Sequence, residues 1–435
     1  MLDILSDRTY RHLFLAQVVA LLGTGLATVA LGLLVFDLAG GGAALVLGTV
    51  FAIKMVAYVG IAPIAGAFAD RVPRRAFLVT LDLLRAGVAL ALPFVAEVWQ
   101  VYLLIFLLQS ASAAFTPTFQ ATLLDVLPEE ARYTRALSLS RLAYDLENIV
   151  SPTLAAVLLA VMSYNSLFLG TALGFTASAL LVVSVLLPSP SPSKSRDIYD
   201  RTTRGIRIYL ATPRLRGFLA LNLRAAAAGA MVLVNSVVLV RGTLGLSESA
   251  QAWTMFSFGA GSMTTALVLP RVLDAMPDQQ VTLSGAALMI AALLGLALTT
   301  LVTDLGWPLL LGTWVMVGLG YSAVLTPSGR LLRRSAHAED RAAQFALSHA
   351  CWLVTYPLSG WLLTVYGVVP ALIGLGFLAA AGMIAALKLW QIGDPVQIEH
   401  THDNLPLDHP DLNGHRRHSH PMVIDESHPR WAARF

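Results

Sequence analysis

Residues 44–75 read ALVLGTVFAIKMVAYVGIAPIAGAFADRVPRR, an apolar run long enough to cross a bilayer that ends in a short cluster of charge. About twenty apolar residues, rising roughly 1.5 Å each, span a hydrocarbon core, and Arg71, Arg74 and Arg75 mark one face of it. The alternation of apolar run and charged connector continues along the chain. Further runs lie at 11–37, 76–96, 99–124, 136–162, 165–187, 215–240, 249–270, 281–303, 307–329, 342–365 and 368–390. They are continuous and rich in Leu, Ala and Val, without the two-residue alternation of outer-membrane strands, so the spacing predicts an all-α polytopic protein with twelve spans.

Composition agrees. With 56% hydrophobic and 13% charged residues over 435 positions and a mean hydropathy of +0.70, the chain has too little polar surface to fold as a water-soluble domain. The basic residues are sorted. Arg132 and Arg135, then Lys194, Arg196, Arg201, Arg204, Arg207 and Arg214, then Arg271, then Arg330, Arg333, Arg334 and Arg341 fall on the same side as Arg71, whereas Arg241 lies on the other. The positive-inside rule then predicts both termini in the cytoplasm of a multi-pass plasma (inner) membrane protein. An isoelectric point of about 9.1 needs no nucleic-acid partner, because these cations face anionic lipid. The start, MLDILSDRTYRHLFLAQ, reads as an uncleaved first span. The single cysteine, Cys351, excludes an intrachain disulfide and a cysteine metal cluster.

The hydrophilic stretch 188–213, opening PSPSPSKSRD, divides six runs from six. It predicts an N-terminal half at 1–187, a cytoplasmic linker at 188–213, a C-terminal half at 214–391 and a cytoplasmic tail at 392–435. A faint repeat supports two halves. LLDVLPEEARYTRALSLSRL (123–142) and LLRRSAHAEDRAAQFALSH (331–349) each precede a helix with a central proline, Pro152 and Pro357. Duplicated halves around a midplane cavity are a transporter architecture.

Residues 1 to 391 resemble the major facilitator superfamily. The most specific feature is the connector itself, where Gly66, Asp70, Arg71, Arg74 and Arg75 match the family's Gly-x3-Asp-Arg-x2-Arg-Arg pattern. The resemblance implies a gating role, latching the halves on the cytoplasmic side; the plainer alternative is a loop that only sets orientation. The corresponding connector after the eighth run keeps only Arg271 and Asp274. Ser151 and Pro152 resemble a weakened antiporter motif with Ser in place of Gly, which favours export. The fourth run lacks the embedded arginine of drug:proton antiporters and carries Gln109 and Gln120 instead. The chain looks nearest to exporters of the transmembrane secretion effector type, which include siderophore and macrolide efflux proteins.

Ionisable residues within spans are expensive and mark function or pairing. Asp82 and Arg85, three apart, and Arg141 and Asp145, four apart, can pair locally as buried charge pairs. Glu147 points about 200° away from Asp145 and has no local partner, so Lys54 or Arg224 could meet it across the bundle. Desolvation favours a protonated carboxyl and a nearby cation the ionised one, which makes Glu147, followed by Asp145, the expected proton-coupling residue.

For the cavity, the family resemblance points to the first, fourth, seventh and tenth helices. These offer Gln17, Thr24, Thr28, Gln109, Thr116, Gln120, Asn222, Arg224, Asn235, Trp314, Tyr321 and Thr326, with Lys54 nearby on the second. Any one of these polar groups also reads as a helix-packing contact.

The tail holds His400, His402, His409, His415, His418, His420 and His428, seven of ten histidines. Imidazoles suit nickel, cobalt, copper and zinc. His400, His402, His415, His418 and His420 are therefore candidate ligands for a divalent transition metal, the one cofactor the sequence suggests. The tail resembles the histidine-rich tails of some nickel-resistance members of the superfamily, although a regulatory or assembly segment fits the disorder-like composition as well.

No nucleophilic elbow, HExxH or phosphate-binding glycine loop is present, so no enzymatic activity is expected. The sequence therefore predicts a monomeric secondary transporter, proton-coupled and exporting a small amphipathic organic compound. The alternatives are export of a divalent metal and a non-transporting receptor on the same scaffold.

Overall fold

The computed structural model describes residues 2–68, 72–188, 206–327, 331, 340–390, 398–401 and 417–420. Among these, twelve helices of eighteen residues or more follow one another. They are α1 Arg8–Ala39, α2 Ala43–Phe68, α3 Arg74–Ala91, α4 Val98–Val126, α5 Glu130–Leu158, α6 Asn165–Val183, α7 Pro213–Val237, α8 Glu248–Ala275, α9 Asp278–Val302, α10 Trp307–Leu325, α11 Asp340–Tyr366 and α12 Val368–Leu389. Eight continuous helical stretches are long and apolar enough to cross a membrane, the first running from Arg8 to Ala62 through both α1 and most of α2.

The helix ends follow from local chemistry. Asp7 accepts from the Tyr10 N–H at 2.9 Å and Ser247 from the Ala250 N–H at 3.2 Å, capping α1 and α8. Gly40 ends α1 with φ +52°, a conformation that disfavours a Cβ. Gln100 reaches back to the Glu97 N–H at 3.0 Å and, with Glu97, closes a capping box at the start of α4.

Helix packing repeats. The pairs α1–α6, α1–α5, α2–α4, α3–α4 and α3–α6 recur six helices later as α7–α12, α7–α11, α8–α10, α9–α10 and α9–α12. The halves meet through α2–α11 and α5–α8, a pairing that maps onto itself under the same shift. Glycine permits the closest approaches. A Cβ on Gly174 would lie 2.7 Å from the Val19 carbonyl oxygen and one on Gly23 3.0 Å from that of Thr171, while the Thr171 hydroxyl donates to the Gly23 carbonyl at 2.8 Å.

Burial is asymmetric along the bundle. One apolar cluster draws Val35, Leu47, Val237, Val240 and Leu363 from both halves at the helix ends remote from the chain termini, and continues within the second half to Phe218, Leu331 and Trp390. Toward the termini, separate clusters form instead: one around Leu13, Leu78 and Leu123 within α1–α6, another around Leu269, Val281 and Ala323 within α8–α10. Among the described residues the halves are thus sealed on the far side, and no apolar cluster joins them on the side of the termini. The far seal also brings the Arg241 guanidinium to 5.9 Å from the Phe36 ring centre.

In the tail, Ile398–Thr401 (β1) and Arg417–His420 (β2) pair antiparallel. This pairing is not expected from the disorder-like composition of the segment, and alternating residues over so few positions carry a weak strand signal.

Candidate functional site: a charged cavity between the halves

A cavity of about 320 Å³ lies where the halves part, at the small end of ligand-site volumes. Its walls differ. Among the described residues, the charged side chains that line it, Lys54 on α2, Arg85 on α3 and Glu147 on α5, come from the first half. So do Gln17, Thr24, Thr28, Gln109, Ser112 and Thr116. The second half presents Leu233, Val237, Met255, Phe258 and Tyr356, with Gln251 as its amide.

Glu147 and Lys54 interact electrostatically across the cavity, and among the described residues no ion pair within contact distance joins them. Around them is a hydroxyl and amide network. Thr116 lies within hydrogen-bonding reach of Tyr58 and Tyr144, and Gln17 within reach of Tyr144. Ser140 donates to Gln17 at 2.8 Å, and the Lys54 ammonium sits 6.0 Å from the Tyr58 ring centre. Tyr58 lies one turn beyond Lys54 and Tyr144 one turn before Glu147, so each pair shares a helix face.

Arg85 is fixed more tightly. It pairs with Asp82, which is fully buried and accepts from the Ser178 hydroxyl at 2.8 Å. Its guanidinium lies between the Phe115 and Phe175 rings, 4.2 and 4.5 Å from their centres. The structure thus brings the expected Asp82–Arg85 pair together and seats it against α4 and α6. Glu147 itself is placed by a close helix crossing: a Cβ on Gly25 of α1 would collide with Ser151 and come within 3.4 Å of Glu147 Cγ. Ser151 and Pro152 both form cavity wall.

Several expected cavity residues lie elsewhere. Gln120 is exposed on α4. Asn222 is buried and donates to the Phe218 carbonyl at 3.2 Å. Asn235 donates to Ser359 Oγ at 2.9 Å, and Arg224 is fully buried without a hydrogen-bond partner for its guanidinium nitrogens. The expectation that these four line the cavity is corrected accordingly: Gln120 is exposed on α4, and α7 turns Leu233 and Val237 to the cavity and its polar residues into the second half, where a Cβ on Gly382 would lie 3.3 Å from Arg224 Cβ. Sequence reading missed Tyr58, Tyr144 and Gln251; the one-turn spacing of the tyrosines to Lys54 and Glu147 was the available signal.

Of the gating cluster, Arg74 forms an ion pair with Asp125 at the end of α4, 2.8 Å long, and Arg75 donates to the Val183 carbonyl at the end of α6. Gly66 is helical, while Asp70 and Arg71 lie outside the described residues. So do the side chains of Arg141 and Asp145 on α5. His402 and His415 are likewise outside; the backbone pairs His400 with His418 and Ile398 with His420.

A helical bundle of two repeating halves around a central cavity is an architecture shared by many secondary transporters. Comparison with known proteins specifies the class: residues 13–352 match the Major Facilitator Superfamily model, and the chain belongs to that family. It is 26% identical over 218 residues to the uncharacterized MFS-type transporter YfiS of Bacillus subtilis, an alignment covering 48% of this chain and 51% of that protein. It is 28% identical to macrolide efflux protein A of Streptococcus pyogenes, covering 34% and 37%. It is also 29% identical to multidrug resistance protein MdtG of Dickeya zeae, covering 40% and 42%. The chain thus spans about half the length, or less, of these relatives. In fold it is similar to a bacterial homolog of the human lysosomal transporter Spinster (TM-score 0.64, 11% identity, 88% of this chain and 94% of that chain). The nucleoside transporter NupG is similarly close (TM-score 0.67, 13% identity, 88% and 98%).

Proposed function

We propose that this transporter is a proton-coupled exporter of a small amphipathic organic compound, a monomer in the inner membrane that works by alternating access with both termini cytoplasmic. The observation that carries the reading is the sorting of the cavity walls. A substrate seated there meets the Glu147–Lys54 pair and its hydroxyl network on one side and an apolar wall on the other. That arrangement suits a molecule with one polar and one greasy face. A carboxylate inside such a wall is a group at which a proton and a substrate can compete, which is the thermodynamic basis of antiport. Export is supported by the antiporter-like Ser151–Pro152 step and by relatives named for efflux and multidrug resistance. The test is ethidium flux into proteoliposomes under an imposed pH gradient. Wild-type protein transports and Glu147→Gln loses the dependence on the gradient; equal gradient-driven flux in both sinks the coupling assignment.

A second reading, export of a divalent transition metal, rests on the register that sets His400 opposite His418 in the tail hairpin. Opposed positions on an antiparallel ladder place Cβ atoms about 5 Å apart, a usable start for a two-imidazole site. Nickel tolerance of expressing cells that is lost on truncation after Gly393 supports this reading, and tail-independent tolerance to organic compounds supports the first.

A further inference from the structure

Among the described residues that line the cavity, three polar side-chain atoms have no hydrogen-bond partner, Arg85 Nε, Ser151 Oγ and Gln251 Oε1, and the last two can accept a hydrogen bond. Ser151 on α5 and Gln251 on α8 are 0% and 5% exposed, and Ser151 Oγ and Gln251 Oε1 are both unmet. Both residues line the cavity, one from each half, on the two helices that pack across the interface. Buried polar atoms are rarely left unpaired, because an unmet group forfeits its hydration without compensation. Neither is met locally: Ser151 packs against Gly25, which has no side chain to donate, and the cavity-lining residues nearest to Gln251 along α8, Met255 and Phe258, are apolar.

We infer that Ser151 and Gln251 together receive a hydrogen-bond donor, a hydroxyl or N–H group, at the polar end of the substrate, with one contact from each half of the transporter. This rests on the exporter reading above and deepens it by assigning the substrate a donor. Glu147 lies one turn from Ser151 on the same face of α5, so the donor sits beside the carboxylate at which the proton competes. The site also has a direction. It exists while α5 and α8 pack on the far side, as in this structure, and it comes apart when the halves separate there. Affinity is then higher on the side of the termini than on the far side, as release after export requires.

The test uses the purified full-length protein and two lipophilic cations of equal charge: ethidium, which has two aromatic amines, and tetraphenylphosphonium, which has no donor. Ser151→Ala and Gln251→Leu are each expected to weaken ethidium binding about three- to tenfold while leaving tetraphenylphosphonium binding within about twofold. Each also raises the ligand-free Tm, because an unmet polar atom has been removed, and Ser151→Thr, which keeps the hydroxyl, retains ethidium binding. Lower ligand-free Tm with both dyes weakened alike assigns the residues a packing role and overturns the inference. Unchanged ethidium binding in both variants also overturns it. Wild-type protein that binds neither dye overturns the amphiphile reading itself.

Discussion

Replacing Gly48 with alanine adds one methyl group at the place where α2 crosses α11 on the sealed side of the bundle. The new Cβ would lie 2.6 Å from the Tyr356 carbonyl oxygen and 3.1 Å from Pro357 Cα. Both atoms are backbone, so neither can rotate away. Ordinary contact begins near 3.4 Å, and the two helices must therefore part by about 0.8 Å; overpacking of this kind costs roughly 1–3 kcal/mol. The penalty applies only while the far ends of α2 and α11 touch. It therefore shifts the conformational equilibrium toward the far-side-open state by about 5- to 150-fold. The intrinsic gain in helix propensity on replacing Gly, about 1 kcal/mol, is common to both states and drops out. The assay places one cysteine at the closed end of the cavity, Val237→Cys on a Cys351→Ser background, and follows its labelling by an impermeant maleimide applied to the far side. Gly48→Ala should raise the labelling rate at least about fivefold. Gly60→Ala, where a Cβ meets nothing within 4 Å, should leave it unchanged. Labelling that is unchanged or slower in a well-folded Gly48→Ala protein refutes the reasoning.

Three further outcomes follow from the site. Asp82→Ala leaves a buried guanidinium without its carboxylate and should destabilise the protein by about 3–5 kcal/mol, seen as loss of the monodisperse peak in size-exclusion chromatography; adding Arg85→Met should recover much of that loss. Lys54→Ala should lower gradient-driven ethidium flux about tenfold, equivalent to about 1.4 kcal/mol, and Lys54→Arg should retain most of it; equal flux in all three proteins would show that the cation facing Glu147 is dispensable. Purified full-length protein should bind nickel in equilibrium dialysis, and His418→Ala or truncation after Gly393 should remove that binding without altering ethidium affinity.

The bundle was legible because lipid imposes a simple rule: a spanning segment must be helical and apolar over a fixed length. Even so, among the described residues α5, α8 and α11 are absent from the stretches that satisfy length and hydropathy alone. In α5 the reason is visible, since it carries Arg141, Asp145 and Glu147 close together. That Lys54 and Glu147 face one cavity could be suspected because neither had a neighbour of opposite charge on a suitable helix face. Arg224 was an equally good candidate on that logic, and only the rotation of α7 sends it into the second half instead. Rotation about a helix axis is set by packing against neighbours, and in helices this uniformly apolar it leaves little trace in the sequence. The same reason hid Gln251 and put Asn222 and Asn235 on the wrong face. Tyr58 and Tyr144 were overlooked because an aromatic ring in a span reads as core, and its hydroxyl matters only once a partner such as Thr116 is known.

The central claim is that substrate and proton compete at Glu147. It is tested most directly by adding ethidium to purified protein in weakly buffered detergent solution and following the pH with an indicator dye. The account predicts proton release on binding by wild-type protein, and none by Glu147→Gln even at ethidium concentrations that saturate it. Equal release from both proteins, or binding to the wild type with no release over the pH range in which transport is active, would contradict it.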